Sequence, residues 1–139
     1  MPWIRLSLLV AVLVSGLSCA GSGVPKDFKV VFGEGGGVTG QWRGHTIAAD
    51  GQVETWAGAS AEVNPKPAGK LSDKSRSAIW DELEKSGYFE IERNEPGNMT
   101  RFIRVTANEE THEVTWPAGG SDDTLEGLLA FCREQVKNQ

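Results

Sequence analysis

The apolar positions form one continuous run at the start of the chain and short alternating patterns after it. The continuous run extends from Leu6 to Leu17, follows the basic residue Arg5 and ends before the small residue Ser18. A basic start, a short apolar segment and small residues at its end are typical of a secretory signal. The run is shorter than the roughly 20 residues that a membrane-spanning helix needs. Residues 1–18 are therefore predicted to be a signal peptide.

Beyond the leader, alternation with a period of two predicts β-strands, because successive side chains of a strand point to opposite faces. Phe28, Val30 and Phe32 are a clear example. The predicted strands are residues 28–32, 41–47, 52–57, 100–107 and 111–116. Asp50–Gly51, between the second and third strands, is a strong hairpin signal because both residues tolerate positive φ.

Other segments show the three-to-four-residue spacing of amphipathic helices. The first predicted helix begins after the N-cap Ser72 and buries Ile79, Trp80 and Leu83. The second begins after the N-cap Ser121, with acidic residues in its first turn that favour the helix dipole. Its apolar stripe consists of Leu125, Leu128, Leu129, Cys132 and Val136.

The predicted order β-β-β-α-β-β-α favours an α+β fold. We expect a two-layer sandwich, with both helices on one face of an antiparallel sheet of about four to five strands. Residues 58–70 contain Pro65 and Pro67 and are predicted to be a surface loop. The single domain is expected to span residues 27–139, and a flexible tether, residues 19–26, would join it to the leader.

Residues 33–40 are dense in glycine and are predicted to form a flexible loop. A phosphate-binding loop needs a lysine or a following helix, whereas this segment leads into a strand. A flexible hairpin loop, with contact to a partner as one possible role, is the better interpretation. Ordinary sheet packing is the expected role of the nearby tryptophans, and anchoring a partner is the alternative. The candidate partner-binding residues are Gly35, Gly36, Gly37, Trp42 and Trp56.

Charge and composition exclude several kinds of site. The chain has 14 Lys and Arg against 19 Asp and Glu, a net charge of −5, and it lacks the basic patch that nucleic-acid binding requires. Its histidines, His45 and His112, lie far apart and without the spacing of a metal motif. The acidic residues fall on predicted solvent faces instead of forming a catalytic pair. We therefore expect no catalytic residues, no metal and no cofactor, and a protein that is not an enzyme.

The stretch Ser15–Cys19 resembles the lipobox of bacterial lipoproteins. In that family the cysteine sulfur receives a diacylglycerol and the cysteine becomes the new N-terminus. Ser18 and Ala20 supply the small neighbours, although Gly16 stands where leucine is usual. The resemblance implies lipidation of Cys19 and a membrane anchor, and Ala20 after the cysteine implies the outer membrane, facing the periplasm or the cell surface.

Alternatives to lipidation remain open at this point. Small residues at Ser18 and Ala20 also suit ordinary signal cleavage, and an uncleaved anchor is a further possibility. A disulfide between Cys19 and Cys132 competes with both, although Cys132 lies on the apolar stripe of a predicted helix, where a cysteine usually acts as a small buried hydrophobe.

A wider resemblance covers nearly the whole predicted domain. The motifs that carry it are residues 35–40, 71–72, 87–89, 95–100 and 112–117. With them the chain resembles a group of small uncharacterised bacterial lipoproteins, which implies no activity. In layout it is also similar to the emfourin-like inhibitors of thermolysin-like metallopeptidases, which implies that the glycine-rich loop would contact a protease.

These observations lead to one expected function and one alternative. The expected function is a non-catalytic, lipid-anchored protein of the bacterial cell envelope that binds another protein or a ligand. The alternative is an emfourin-like inhibitor of a metallopeptidase. The expected partners are the membrane, through Cys19, and an envelope protein or a protease, but not nucleic acid.

Overall fold

Strands dominate the first half of the domain and alternate with helices in the second. A computed structural model describes residues 23–139, so the predicted signal peptide and Cys19 lie outside the described residues. The strands are β1 (Lys29–Gly36), β2 (Gln41–Ile47), β3 (Gln52–Gly58), β4 (Lys66–Lys70), β5 (Met99–Ala107) and β6 (Glu110–Pro117). The helices are α1 (Asp73–Lys85) and α2 (Asp123–Lys137), and a 3₁₀ helix spans Tyr88–Glu90.

In the described part of the chain, the strands form one antiparallel sheet of 6 strands in the order β4-β3-β2-β1-β5-β6. Apolar residues of both helices share a single core with one face of the sheet, so both helices lie on that face. Helix α2 crosses this face of the sheet from β6 to β4. At its start Glu126 accepts a hydrogen bond from Trp116 of β6, and just after its end Gln139 donates to the carbonyl of Ala68 in β4. The α+β class is confirmed, and the number of strands is slightly higher than the expected four to five.

Two segments that were predicted to be loops belong to the sheet. Strand β1 continues through Gly33–Gly36, and strand β4 lies inside the predicted loop 58–70. Among the described strands, β4 pairs only with β3, so Pro67 occupies an edge strand, where a missing N–H group is tolerated. The N-cap of α1 is Ser72, as predicted, whereas the N-cap of α2 is Asp122, one residue after the predicted Ser121.

The main core lies between the helices and the sheet. Its largest fully buried side chains include Trp116, Tyr88, Phe28 and Phe32. The hydroxyl of Tyr88 donates to the carbonyl of Ile103, at 2.7 Å, and also lies 2.9 Å from the carbonyl of His112. This side chain therefore ties the 3₁₀ helix to both β5 and β6.

The opposite face of the sheet carries a second, smaller cluster, which we call the aromatic face. Trp42, Trp56 and Phe102 form it, with Val31 and Ala61 packed against them. The Phe102 ring lies 5.9 Å from Trp42 and 6.1 Å from Trp56, centroid to centroid, which are ordinary distances for aromatic pairs. Both faces of the sheet are therefore packed near its centre.

The first described residues are fixed at one end of the sheet. Val24, in the stretch expected to be tether, packs against the core. The carboxylate of Asp27 accepts the backbone N–H groups of Glu109, at 2.7 Å, and Asn108, at 2.8 Å, in the turn between β5 and β6. These two hydrogen bonds lower the pKa of Asp27, and the one from Glu109 has the larger effect. The domain therefore begins beside the β5–β6 turn, and β1 runs from there to the opposite end of the sheet.

Candidate functional site

The turn between β1 and β2 presents an apolar side chain to solvent. Val38 is the one large hydrophobic residue in the described range 23–139 that is exposed. It lies in a four-residue turn, 37–40, that requires positive φ at Gly37 and at Gly40. Positive φ is unfavourable for other residue types, so the glycines allow the chain to reverse tightly around Val38.

This turn is held in place by hydrogen bonds to a neighbouring segment. The N–H group of Gly37 donates to the carbonyl of Asn98, at 2.5 Å, just before β5 begins. Within the turn, the N–H group of Gly40 donates to the carbonyl of Gly37 at 3.3 Å. The flexible loop that was predicted at residues 33–40 is therefore a strand followed by a short, anchored turn.

A cleft of about 290 Å³ lies beside the turn. Thr39, Gln41, Trp42, Arg43 and Met99 contribute to its walls. Trp42 is half-buried, so part of its indole remains available to a partner. We call Val38 together with this cleft the hairpin site.

The structure separates the predicted partner-binding residues into two groups. Gly36, Gly37 and Trp42 lie at the hairpin site. Gly35 is buried beneath the ring of Trp42, and Trp56 is only 2% exposed, with its indole N–H group donating to Thr46 Oγ1 at 3.2 Å. Trp56 is thus packed in the sheet and is not available as an exposed anchor.

A charged cluster next to the hairpin site was missed in the sequence. Glu34 in β1 is only 8% exposed, although it is charged. Arg43 in β2 reaches its Oε1 through Nε at 3.1 Å and a terminal nitrogen at 2.7 Å. Arg101 in β5 donates to its Oε2 at 3.2 Å, and Arg133 in α2 lies 3.5 Å from the same oxygen. We call these four residues the arginine cluster.

The arginines determine the charge state of Glu34. Burial opposes ionisation, but the hydrogen bonds from Arg43 and Arg101 and the charge of Arg133 outweigh it and lower the pKa of Glu34. The cluster extends further, because Arg101 also pairs with Glu126, which accepts from the indole of Trp116 at 2.8 Å. One buried carboxylate therefore joins strands β1, β2 and β5 to helix α2.

The position of Glu34 carried a signal in the sequence. It continues the alternation of Phe28, Val30 and Phe32, so it occupies an inward position of the same strand. A charged residue there requires partners, since burying an unpaired charge is costly. Treating Gly33–Gly36 as a loop concealed this pattern.

The cysteine and histidine side chains of the described residues are buried or take part in structural contacts. Burial raises the pKa of the Cys132 thiol to about 12. Burial, together with the charge of Arg133, lowers the pKa of His45. The Nε2 atom of His112 lies 2.9 Å from the carbonyl of Ile91. Within residues 23–139, no group of three or more His, Cys, Asp or Glu side chains is placed to hold a metal ion.

No protein-family model matches the chain. No curated protein matches it significantly in sequence. In the described part of the chain, neither helix has the length and apolar character needed to cross a bilayer.

Proposed function

We propose that this protein is a non-catalytic, lipid-anchored module of the bacterial cell envelope that binds another protein through the hairpin site. The carrying observation is Val38, an exposed apolar side chain on an anchored turn beside a cleft and a half-buried tryptophan. Interface hot spots are enriched in Trp, Tyr and Arg, and the cleft beside Val38 offers Trp42 and Arg43. An anchored turn also loses little conformational entropy on binding.

The position of the hairpin site is compatible with an anchor at Cys19. Strand β1 has 8 residues, about 25 Å at the usual rise of a strand, and it separates the first described residues from Val38. A lipid attached at Cys19, four residues before Gly23, would leave the hairpin site at the end of the domain that is remote from the attachment point. Such a domain would project its binding site away from the membrane.

The anchor is tested on the mature protein recovered from the membranes of a Gram-negative host. We expect mass spectrometry to identify Cys19 as the N-terminal residue, carrying a diacylglycerol. The Cys19→Ser variant should lose the lipid and leave the membrane fraction. A mature N-terminus at Gly21, without acylation, would rule out the anchor.

The hairpin site is tested by the Val38→Asp variant. A charge at this position has to be desolvated in an apolar contact, so we expect binding of the partner to weaken at least about tenfold. The measurement is recovery of partners from solubilised membranes, and it can be repeated with purified proteases. Ala130→Asp is the control, because it adds the same charge at an exposed position of α2. Equal loss of binding in both variants would exclude the hairpin site.

A second candidate function is inhibition of a thermolysin-like metallopeptidase. The observation that favours it is again the turn at 37–40, because a narrow hairpin that carries one apolar side chain has a shape that can enter a protease cleft. Titration of a thermolysin-like enzyme with the purified protein discriminates the two functions. Stoichiometric inhibition that is lost in Val38→Asp would establish the inhibitor, and full protease activity at a large molar excess would eliminate it.

A further inference from the structure

A cleft on the helix-covered face of the sheet concentrates guanidinium groups in a chain that is acidic overall. Its volume is about 350 Å³. Arg43, His45, Thr55 and Arg133 line it, together with the buried carboxylate of Glu34. The chain carries a net charge of −5, so this local excess of cations differs from its surroundings.

The charges around this cleft do not balance. Arg101 contacts Glu34 but also pairs with Glu126, and the charge of Glu126 balances that of Arg101. Among residues 23–139, Arg43 and Arg133 then have only Glu34 as a counter-ion. Burial and the neighbouring Arg133 lower the pKa of His45, which disfavours a further positive charge at this position. The walls of the cleft therefore carry about one unbalanced positive charge.

Donor groups remain available on the two arginines. A guanidinium has five N–H donors in a planar fork that fits a carboxylate. Arg43 directs its Nε and one terminal nitrogen to Glu34, and Arg133 approaches Glu34 only at 3.5 Å. Their side chains are 75% and 41% exposed, respectively, so a ligand can reach both.

We propose that this cleft binds a carboxylate, the side chain of an Asp or Glu residue of the partner that docks on the hairpin site. The inference rests on the proposed function, because Arg43 lines both this cleft and the cleft of the hairpin site. A single positive charge matches a monoanion. A phosphate dianion would bring excess negative charge next to Glu34, which is only 8% exposed.

The proposal is tested by NMR titration of the full chain at low salt. The probes are the α-methylamide of N-acetylglutamate, its neutral glutamine counterpart and inorganic phosphate. We expect the glutamate compound to shift the His45 ring signals saturably, with a dissociation constant on the order of millimolar or weaker, because its carboxylate accepts charge-assisted hydrogen bonds from two partly exposed guanidinium groups. The glutamine compound should produce no saturable shift.

Two variants locate the site. Arg133→Gln should weaken glutamate binding at least about fivefold, whereas Lys137→Gln, the same change of charge one turn further along α2, should alter it less than about twofold. Equal effects of the two variants, or equal shifts from the glutamate and glutamine compounds, would overturn the proposal. Tighter binding of phosphate would overturn the assignment to a carboxylate. Loss of partner binding in Val38→Asp is a separate measurement, so the carboxylate site and the hairpin site can fail independently.

Discussion

The Gly44→Ala variant is expected to destabilise the folded domain by about 2–3 kcal/mol, because β2 has no room for a side chain at this position. A Cβ atom on Gly44 would lie 2.2 Å from the carbonyl oxygen of Phe32 in β1 and 2.6 Å from Cζ2 of Trp56 in β3. The first neighbour is backbone of the central strand, so relieving the contact requires β1 and β2 to separate locally. Urea unfolding of the two proteins measures the loss.

Gly127→Ala is the matched control for Gly44→Ala. Gly127 lies in α2, and nothing lies within 4 Å of the position that its Cβ would occupy. Alanine is favoured over glycine inside a helix by up to about 1 kcal/mol, so this variant should be more stable than the parent. Similar changes in stability for the two variants would show that the effect at Gly44 does not arise from crowding in the sheet.

The same crowding explains the glycines at positions 33 and 35 of β1. A Cβ atom on Gly33 would lie 2.9 Å from the Trp56 ring, and one on Gly35 would lie 2.0 Å from the Trp42 ring. The indoles of Trp42 and Trp56 thus occupy the space that side chains of the neighbouring strands would fill. Substituting these glycines would displace the aromatic face, which buries apolar area on the side of the sheet without helices.

The sequence predicted the presence of secondary-structure elements better than it predicted where each element ends. The alternation of Phe28, Val30 and Phe32 placed β1 in the right position, because side-chain burial enforces the period of two. Glycine has no side chain that could show this alternation. Its local preference for turns therefore concealed the second half of the strand. What makes Gly33 and Gly35 strand residues is their cross-strand partners, and strand pairing depends on the whole sheet.

The candidate site was predictable only in part, for related reasons. Gly36, Gly37 and Trp42 were predicted partner contacts and lie at the hairpin site. The hydrogen bond from Gly37 to Asn98 joins positions that are remote in sequence, so no local pattern indicated that the turn is anchored. The arginine cluster likewise combines residues from three strands and a helix, which only the tertiary fold brings together.

The Glu34→Gln variant is expected to lose about 2 kcal/mol of stability at neutral pH. The substitution keeps the shape of the side chain but removes the one negative charge that Arg43 and Arg133 share. Removing one partner of a buried ion pair typically costs about 3–5 kcal/mol, and the partial exposure of the arginines reduces that figure here. Chemical denaturation near pH 7 measures the difference.

Glu113→Gln is the control for Glu34→Gln. Glu113 is exposed on β6 and pairs with Arg104, and an exposed ion pair of this kind contributes only about 0–1 kcal/mol. The two variants make the same chemical change in the same sheet. The difference between their losses of stability therefore measures the effect of burial and of the three arginines around Glu34. Comparable losses would mean that Glu34 contributes no more than a surface pair.

The pH dependence separates the charge of Glu34 from its packing. Because the arginines lower the pKa of Glu34 below its ordinary value of 4.5, its ionised form stabilises the folded state. This contribution is fully present above about pH 4.5 and disappears as the pH falls through the lowered pKa of the folded protein. Below that pKa the carboxyl is protonated and resembles glutamine, so the stabilities of the parent and Glu34→Gln should converge in acid. A gap that stays constant through this range would indicate that glutamine fits the site poorly for steric reasons and that the carboxylate charge does not hold the arginine cluster together.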